Sequence, residues 1–179
     1  MESKRQGLKY IVLEKGVLVN SLFNFPTDMR FFTSAALLEI GNHPFPSTAM
    51  KPNRQMALDY YRRVTELEKL NVKLHYEVLT LKYLNNQFIL EVEETFRSKI
   101  IRHTFESNYV VIATGYFDNP NGLGGVPGEQ GSNTSYYYTE PHPYFNKEVV
   151  VIGAGNSGAE ASLELYRHGA RVTLVHNHK

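Results

Sequence analysis

The 179-residue chain contains no cysteine. That excludes disulfides, a Cys-x-x-Cys redox pair and thiolate metal ligands within these residues. No apolar run approaches the roughly 20 residues a membrane-spanning helix needs. The N-terminus, MESKRQGLKY, carries no apolar signal region. Neither sign of charge is in excess: 19 Lys and Arg against 18 Asp and Glu leave a formal net charge of +1. There is thus no electrostatic case for nucleic acid or an acidic membrane as partner, and the cytoplasm is the expected location. The histidines show no metal-ligand spacing, and His142, between Pro141 and Pro143, reads as structural. What is present is 42% hydrophobic residues, which suits one ordinary globular domain or parts of two.

One stretch organises the rest. Val149 to Ile152 reads as a buried strand, and Gly153, Gly155 and Gly158 then fit G-x-G-x-x-G. Ala159, Ser162, Leu163 and Tyr166 recur at helical spacing, Gly169 sits where a helix stops, and Arg171 to Val175 reads as a second strand. This is a whole βαβ unit with its glycines at the strand-to-helix turn, the context a dinucleotide fingerprint requires. Gly153 permits the tight turn, Gly155 lets a pyrophosphate approach the backbone, and Gly158 lets helix and strand pack closely. The helix N-terminus then offers free N–H groups to the phosphates.

The other end of the chain repeats part of this unit. Lys4-Arg-Gln-Gly-Leu-Lys-Tyr-Ile-Val-Leu-Glu14 matches Tyr166-Arg-His-Gly-Ala-Arg-Val-Thr-Leu-Val-His176, with Arg5, Gly7 and Leu13 facing Arg167, Gly169 and Val175. Lys4 to Glu14 therefore reads as the end of a helix and a strand, Tyr10 to Leu13, of a second βαβ unit. The corresponding first strand and Gly-rich loop would precede residue 1, by on the order of 20 residues for such a unit.

Between the two copies, Lys15 to Pro52 is irregular, and its polar-apolar mix around Asn20, Ser21 and Asn24 suits a segment lying over a ring ligand. Asn53 to Leu70 predicts a capped helix with the stripe Met56, Tyr60, Val64, Leu67. Val78 to Leu84 and Gln87 to Glu93 flank an Asn85-Asn86 hairpin turn, and Ser98 to Phe105 completes a meander. Tyr109 to Gly115 reads as a buried strand ending in an Ala-Thr-Gly turn. The Pro- and Gly-rich stretch 118–146 reads as a linker between a unit at 1–117 and one beginning at 147–179. The fold class is α/β: two Rossmann-like βαβ dinucleotide-binding units with a small antiparallel meander, both incomplete.

The residue ending the second strand of each unit reads the adenosine ribose. Glu14 accepts hydrogen bonds from ribose hydroxyls and repels a 2′-phosphate, so the N-terminal unit suits FAD or NAD. His176, followed by His178 and Lys179, turns the C-terminal unit toward NADP.

This arrangement resembles the two-dinucleotide-binding-domain flavoproteins of the thioredoxin-reductase-like type, and within them the bacillithiol-disulfide-reductase (YpdA-type) group. The likeness is carried by Val12-Leu-Glu-Lys-Gly16, Asn20-Ser21, Phe25-Pro26-Thr27, Phe31 to Ser34, Leu38-Glu-Ile-Gly41, Ile112-Ala-Thr-Gly-Tyr116, Gly125-Val-Pro-Gly-Glu129, His142-Pro-Tyr-Phe145 and the Gly153 to Gly158 loop. It implies FAD on the N-terminal domain, NADPH on the second, and hydride transfer from NADPH to FAD and on to a small-molecule or protein disulfide such as bacillithiol disulfide. It implies that Glu14, Lys15, Asn20, Thr114 and Gly115 lie along FAD. Gly153, Gly155, Asn156, Ser157 and Gly158 would hold the NADPH pyrophosphate, with His176 at its ribose. A homo-oligomer is also in keeping with the resemblance.

The family's first Gly-rich loop is absent, so the chain alone is expected to bind FAD poorly and turn over little. Two alternatives stand beside this reading. One is a flavin-containing monooxygenase, although residues 116–147 lack the F-x-G-x-x-x-H-x-x-x-(F/Y) spacing; the other is an inactive nucleotide-binding fragment.

Overall fold

The computed structural model describes residues 1–177; His178 and Lys179, which join His176 in the basic ending above, lie outside the described residues. The chain forms two compact units. One comprises Met1–Phe25 and Met29–Gly122, the other Pro26–Asp28 and the residues from Leu123 onward. The architecture is mixed α/β, with two parallel strand pairs and one antiparallel sheet among the described residues.

In the first unit, a single helical turn, α1 (Glu2–Arg5), stops at Gly7, whose φ of +67° suits a residue without Cβ. Strand β1 (Val12–Glu14) follows, starting two residues later than the predicted Tyr10 because its partner begins only at Val72. The irregular stretch holds one short helix, α2 (Asn20–Phe23), and a 3₁₀ turn, Ala35–Leu38. Helix α3 (Arg54–Leu67) is capped as predicted: Asn53 Oδ1 accepts the Met56 N–H at 2.9 Å. Strand β2 (Val72–Leu74), which sequence periodicity had not marked, pairs in parallel with β1 from Val12↔Val72 to Glu14↔Leu74. Helix α3 is thus the crossover of a βαβ unit.

The core of this unit lies under α3. Tyr60 and Val64 are buried together with Phe45 and Ala57. The Tyr60 ring stacks on Phe45 at 4.5 Å, and its hydroxyl donates to His43 O at 2.7 Å and accepts from Ile40 N at 2.9 Å. Leu67, expected on the same stripe, is 53% exposed, because the last helical turn runs past the residues that cover Tyr60 and Val64. Strands β3 (Tyr76–Leu84), β4 (Gln87–Phe96) and β5 (Lys99–Ser107) form the predicted meander in the order β3-β4-β5. Asn85 and Asn86, at φ +50° and +64°, make a left-handed two-residue turn. Arg97 and Ser98 make a second one at +47° and +65°, so Ser98 lies in the turn and not in the strand.

Tyr109 to Gly115 is corrected. It is not a strand: no ladder reaches it, and Tyr109, Val111 and Ile112 are 86%, 89% and 73% exposed. Its β-branched sequence is suited to a sheet, but a strand needs a neighbour for its N–H and C=O groups, and none of the described strands lies alongside.

The second unit contains β6 (Glu148–Ile152), α4 (Asn156–Arg167) and β7 (Arg171–Val175). β6 and β7 pair in parallel from Glu148↔Arg171 to Ile152↔Val175, and Gly169 at φ +88° closes α4. Ahead of it, the loop 123–136 is organised by one buried carboxylate. Glu129, 8% exposed, accepts from Leu123 N–H at 2.5 Å, Gly125 N–H at 2.9 Å and Tyr136 O–H at 2.5 Å.

The Tyr136 hydroxyl and these N–H groups hold the Glu129 carboxyl below its ordinary value of 4.5. A depressed carboxylate contributes stability that is complete above the ordinary value and is lost as pH falls through the folded one. The melting-temperature advantage of the unaltered chain over Glu129→Gln should therefore be largest at neutral pH and shrink as the solution is taken to acid. A constant difference across that series would show that the charge of Glu129 does not hold the loop.

Candidate functional site

The loop between β6 and α4 is built from backbone. Gly153 N–H donates to Val175 O at 2.8 Å, which closes the exit of β6 onto the end of β7. Its φ of +104° is one that side chains rarely adopt. Gly158 is needed for a different reason: a Cβ there would sit 1.9 Å from Gly153 O. Gly155 answers to neither constraint. Its φ is −66°, and a Cβ would meet no atom within 4 Å.

Gly155 is also the N-cap of α4, and no side chain caps that end. The first-turn N–H groups of Asn156, Ser157 and Gly158 have no intrahelical acceptors, and the helix dipole adds about half a positive charge there. Asn156 and Ser157 are exposed at this mouth. His176 follows β7 directly and is exposed. An uncapped, cationic helix end under an open glycine is a cradle that fits a phosphate group.

The first unit brings together a second set. Glu14, half-buried at the end of β1, accepts the Gly16 N–H on Oε1 at 2.8 Å. Asn20 Oδ1 accepts the Val17 N–H at 3.3 Å. At Gly16 a Cβ would lie 2.3 Å from that same Asn20 Oδ1, so a larger residue would displace the Asn20 side chain. Lys15 pairs with Asp118 at 2.6 Å, and the hydrogen bond to Asp118 raises its pKa. Thr114 and Gly115 are exposed and lead into the turn at Phe117 and Asp118, with Gly115 at φ +68°. Sequence reasoning names Gly16 within a motif but does not mark Phe117 or Asp118. No local pattern marks these two, since their partners are 92 and 103 positions away (Phe25, Lys15).

The model of the pyridine nucleotide-disulphide oxidoreductase family matches residues 1–179, the whole chain. The chain belongs to this family. Bacilliredoxin reductase Bdr of Bacillus subtilis (strain 168) is 42% identical over 174 residues, covering 97% of this chain and 51% of that protein. Two solved structures of bacillithiol disulfide reductase Bdr (YpdA) share its fold. That from Bacillus cereus superposes with a TM-score of 0.91 at 39% identity, over 96% of this chain and 52% of the other. That from Staphylococcus aureus gives 0.89 at 40% identity, over 97% and 51%. The chain spans about half the length of these relatives. Family membership implies FAD and NADPH as cofactors and is that of an oxidoreductase family, as the sequence predicts.

The different demands on the glycines of this oxidoreductase loop separate by substitution. Gly158→Ala should cost about 2 kcal/mol, in the range of overpacked sites whose neighbour is backbone. Gly155→Ala should change stability by less than about 1 kcal/mol, because nothing occupies the space its methyl enters. Urea midpoints followed by far-ultraviolet circular dichroism measure both. Equal losses at the two positions would refute the assignment.

Proposed function

We propose that the chain contributes both nucleotide sites of an FAD- and NADPH-dependent disulfide reductase, the NADPH site being the β6–α4 loop. The observation that carries this reading is Gly155: a glycine that neither φ nor packing requires, at the uncapped N-terminus of α4. When bound, the cofactor pair supplies hydride transfer from nicotinamide to flavin, so that one NADPH and one proton reduce one disulfide to two thiols.

The chain's own part is to bind and orient. Gly153, Gly155, Asn156, Ser157 and Gly158 would hold the dinucleotide pyrophosphate. His176, at the end of β7, would face the ribose and favour a 2′-phosphate over a bare hydroxyl. Glu14 at the end of β1 would accept the FAD ribose hydroxyls, while Lys15, Asn20, Thr114 and Gly115 would line that cofactor. Residues 1–117 then form the FAD-binding part, 118–146 the linker and 147–179 the start of the NADPH-binding part.

The acceptor is a small-molecule or protein disulfide, and similarity to the two Bdr structures favours bacillithiol disulfide. With no cysteine among the 179 residues, no dithiol of this chain relays the electrons. No helix among the described residues is long and apolar enough to cross a membrane.

The reading is tested by titrating the chain with NADPH and NADH and following nicotinamide fluorescence. Gly155→Ala should abolish NADPH binding with the fold retained. His176→Glu should reverse the preference between the two nucleotides. NADPH bound equally well by chain and Gly155→Ala variant would place the pyrophosphate elsewhere.

A further inference from the structure

We propose that Asp118 determines which ligand charge the C-terminal end of β1 accepts, by occupying the ammonium of Lys15. The inference rests on the reading of that end as an adenosine site and goes beyond it, because Asp118 lies far from Glu14 in sequence.

The stretch 109–115 has no ladder to hold it. Two contacts just beyond it attach its turn to the rest of the unit. The Phe117 ring meets Phe25 edge-on with centroids 5.1 Å apart, and the Asp118 carboxylate lies 2.6 Å from Lys15 Nζ. These contacts bring a second carboxylate to the place where Glu14 already stands. Glu77 adds a further negative field at Lys15. The ammonium of Lys15 is therefore already paired.

A bare ribose suits this arrangement, because its hydroxyls donate to carboxylates. A 2′-phosphate would meet Glu14 and Asp118, and the ammonium of Lys15, next to Glu14 in the chain, is already held by Asp118. An unpaired Lys15 would suit a phosphate; in the fold its ammonium is held by Asp118. Asp118 is thus a specificity-determining residue that acts through Lys15.

The full chain would be titrated with AMP and with adenosine 2′,5′-bisphosphate, following the backbone amides of Glu14, Lys15 and Gly16 by NMR so that binding at the β6–α4 loop is scored separately. Wild type should prefer AMP at these amides. Asp118→Asn, nearly isosteric, should shift the ratio toward the bisphosphate by about threefold, the scale of one exposed charge pair. Asp118→Ser should do the same. Asp118→Glu should keep the wild-type ratio, and Lys15→Met in the Asp118→Asn background should remove the gain. Both ligands binding at these amides with a ratio indifferent to Asp118→Asn and Asp118→Ser would overturn the proposal. If neither ligand moves these amides in any variant, the adenosine reading itself fails, and the role of Asp118 with it.

Discussion

A parallel strand exists only where a neighbour completes its ladder, and that requirement decides which apolar runs of this chain become strands. Val12–Glu14 finds Val72–Leu74 across α3, and Glu148–Ile152 finds Arg171–Val175 across α4. Tyr109 to Ala113 is wholly apolar and carries three β-branched residues, yet Tyr109, Val111 and Ile112 stay exposed because no described strand lies beside it. The effect reaches the candidate site. Thr114 and Gly115 are positioned not by hydrogen bonds of a sheet but by Phe117 on Phe25 and Asp118 on Lys15.

The β6–α4 loop shows how one motif can serve two masters. Gly153 is a matter of backbone conformation and Gly158 of clearance from the Gly153 carbonyl; both would be needed in a turn that bound nothing. Gly155 has no such duty. A motif match alone does not distinguish these roles, because each position is simply a glycine. Measured clearance does, and it leaves the open position at the helix end where backbone N–H groups can meet an anion.

Much of this was legible in the sequence, and for identifiable reasons. The helix over Arg54–Leu67 combines a local cap at Asn53 with a 3.6-residue period, so tertiary context had little to override. Asn85-Asn86 announces a left-handed turn by residue type; Arg97-Ser98 adopts the same turn without the residue type, compelled by the Phe96↔Lys99 pairing, and could not be seen. β2 is three residues long and carries its meaning only through β1, so periodicity passed over it. The glycine loop and Glu14 were visible because motif and strand end are local. Asp118 was not, because its bond to Lys15 depends on a turn made 103 residues later in the chain.

The two strand ends carry the remaining argument. Glu14 ends β1, the first strand of β1–α3–β2, and His176 follows β7, the second strand of β6–α4–β7; the two positions correspond in sequence pattern. The sheets at these points are alike: short, parallel and crossed by one helix. Ligand choice must therefore come from the few side chains at the ends. Counting only the residue at the strand end makes the first site one negative charge beside one positive, nearly neutral. Including Asp118 adds a second carboxylate, and it engages the ammonium of Lys15 at 2.6 Å. Electrostatic selection between a hydroxyl and a phosphate depends on that difference, since at these separations even a solvent-screened charge changes an affinity by a measurable factor. The cofactor preference of such a unit thus resides in the contacts that surround its terminal acid, and reading the acid alone understates it.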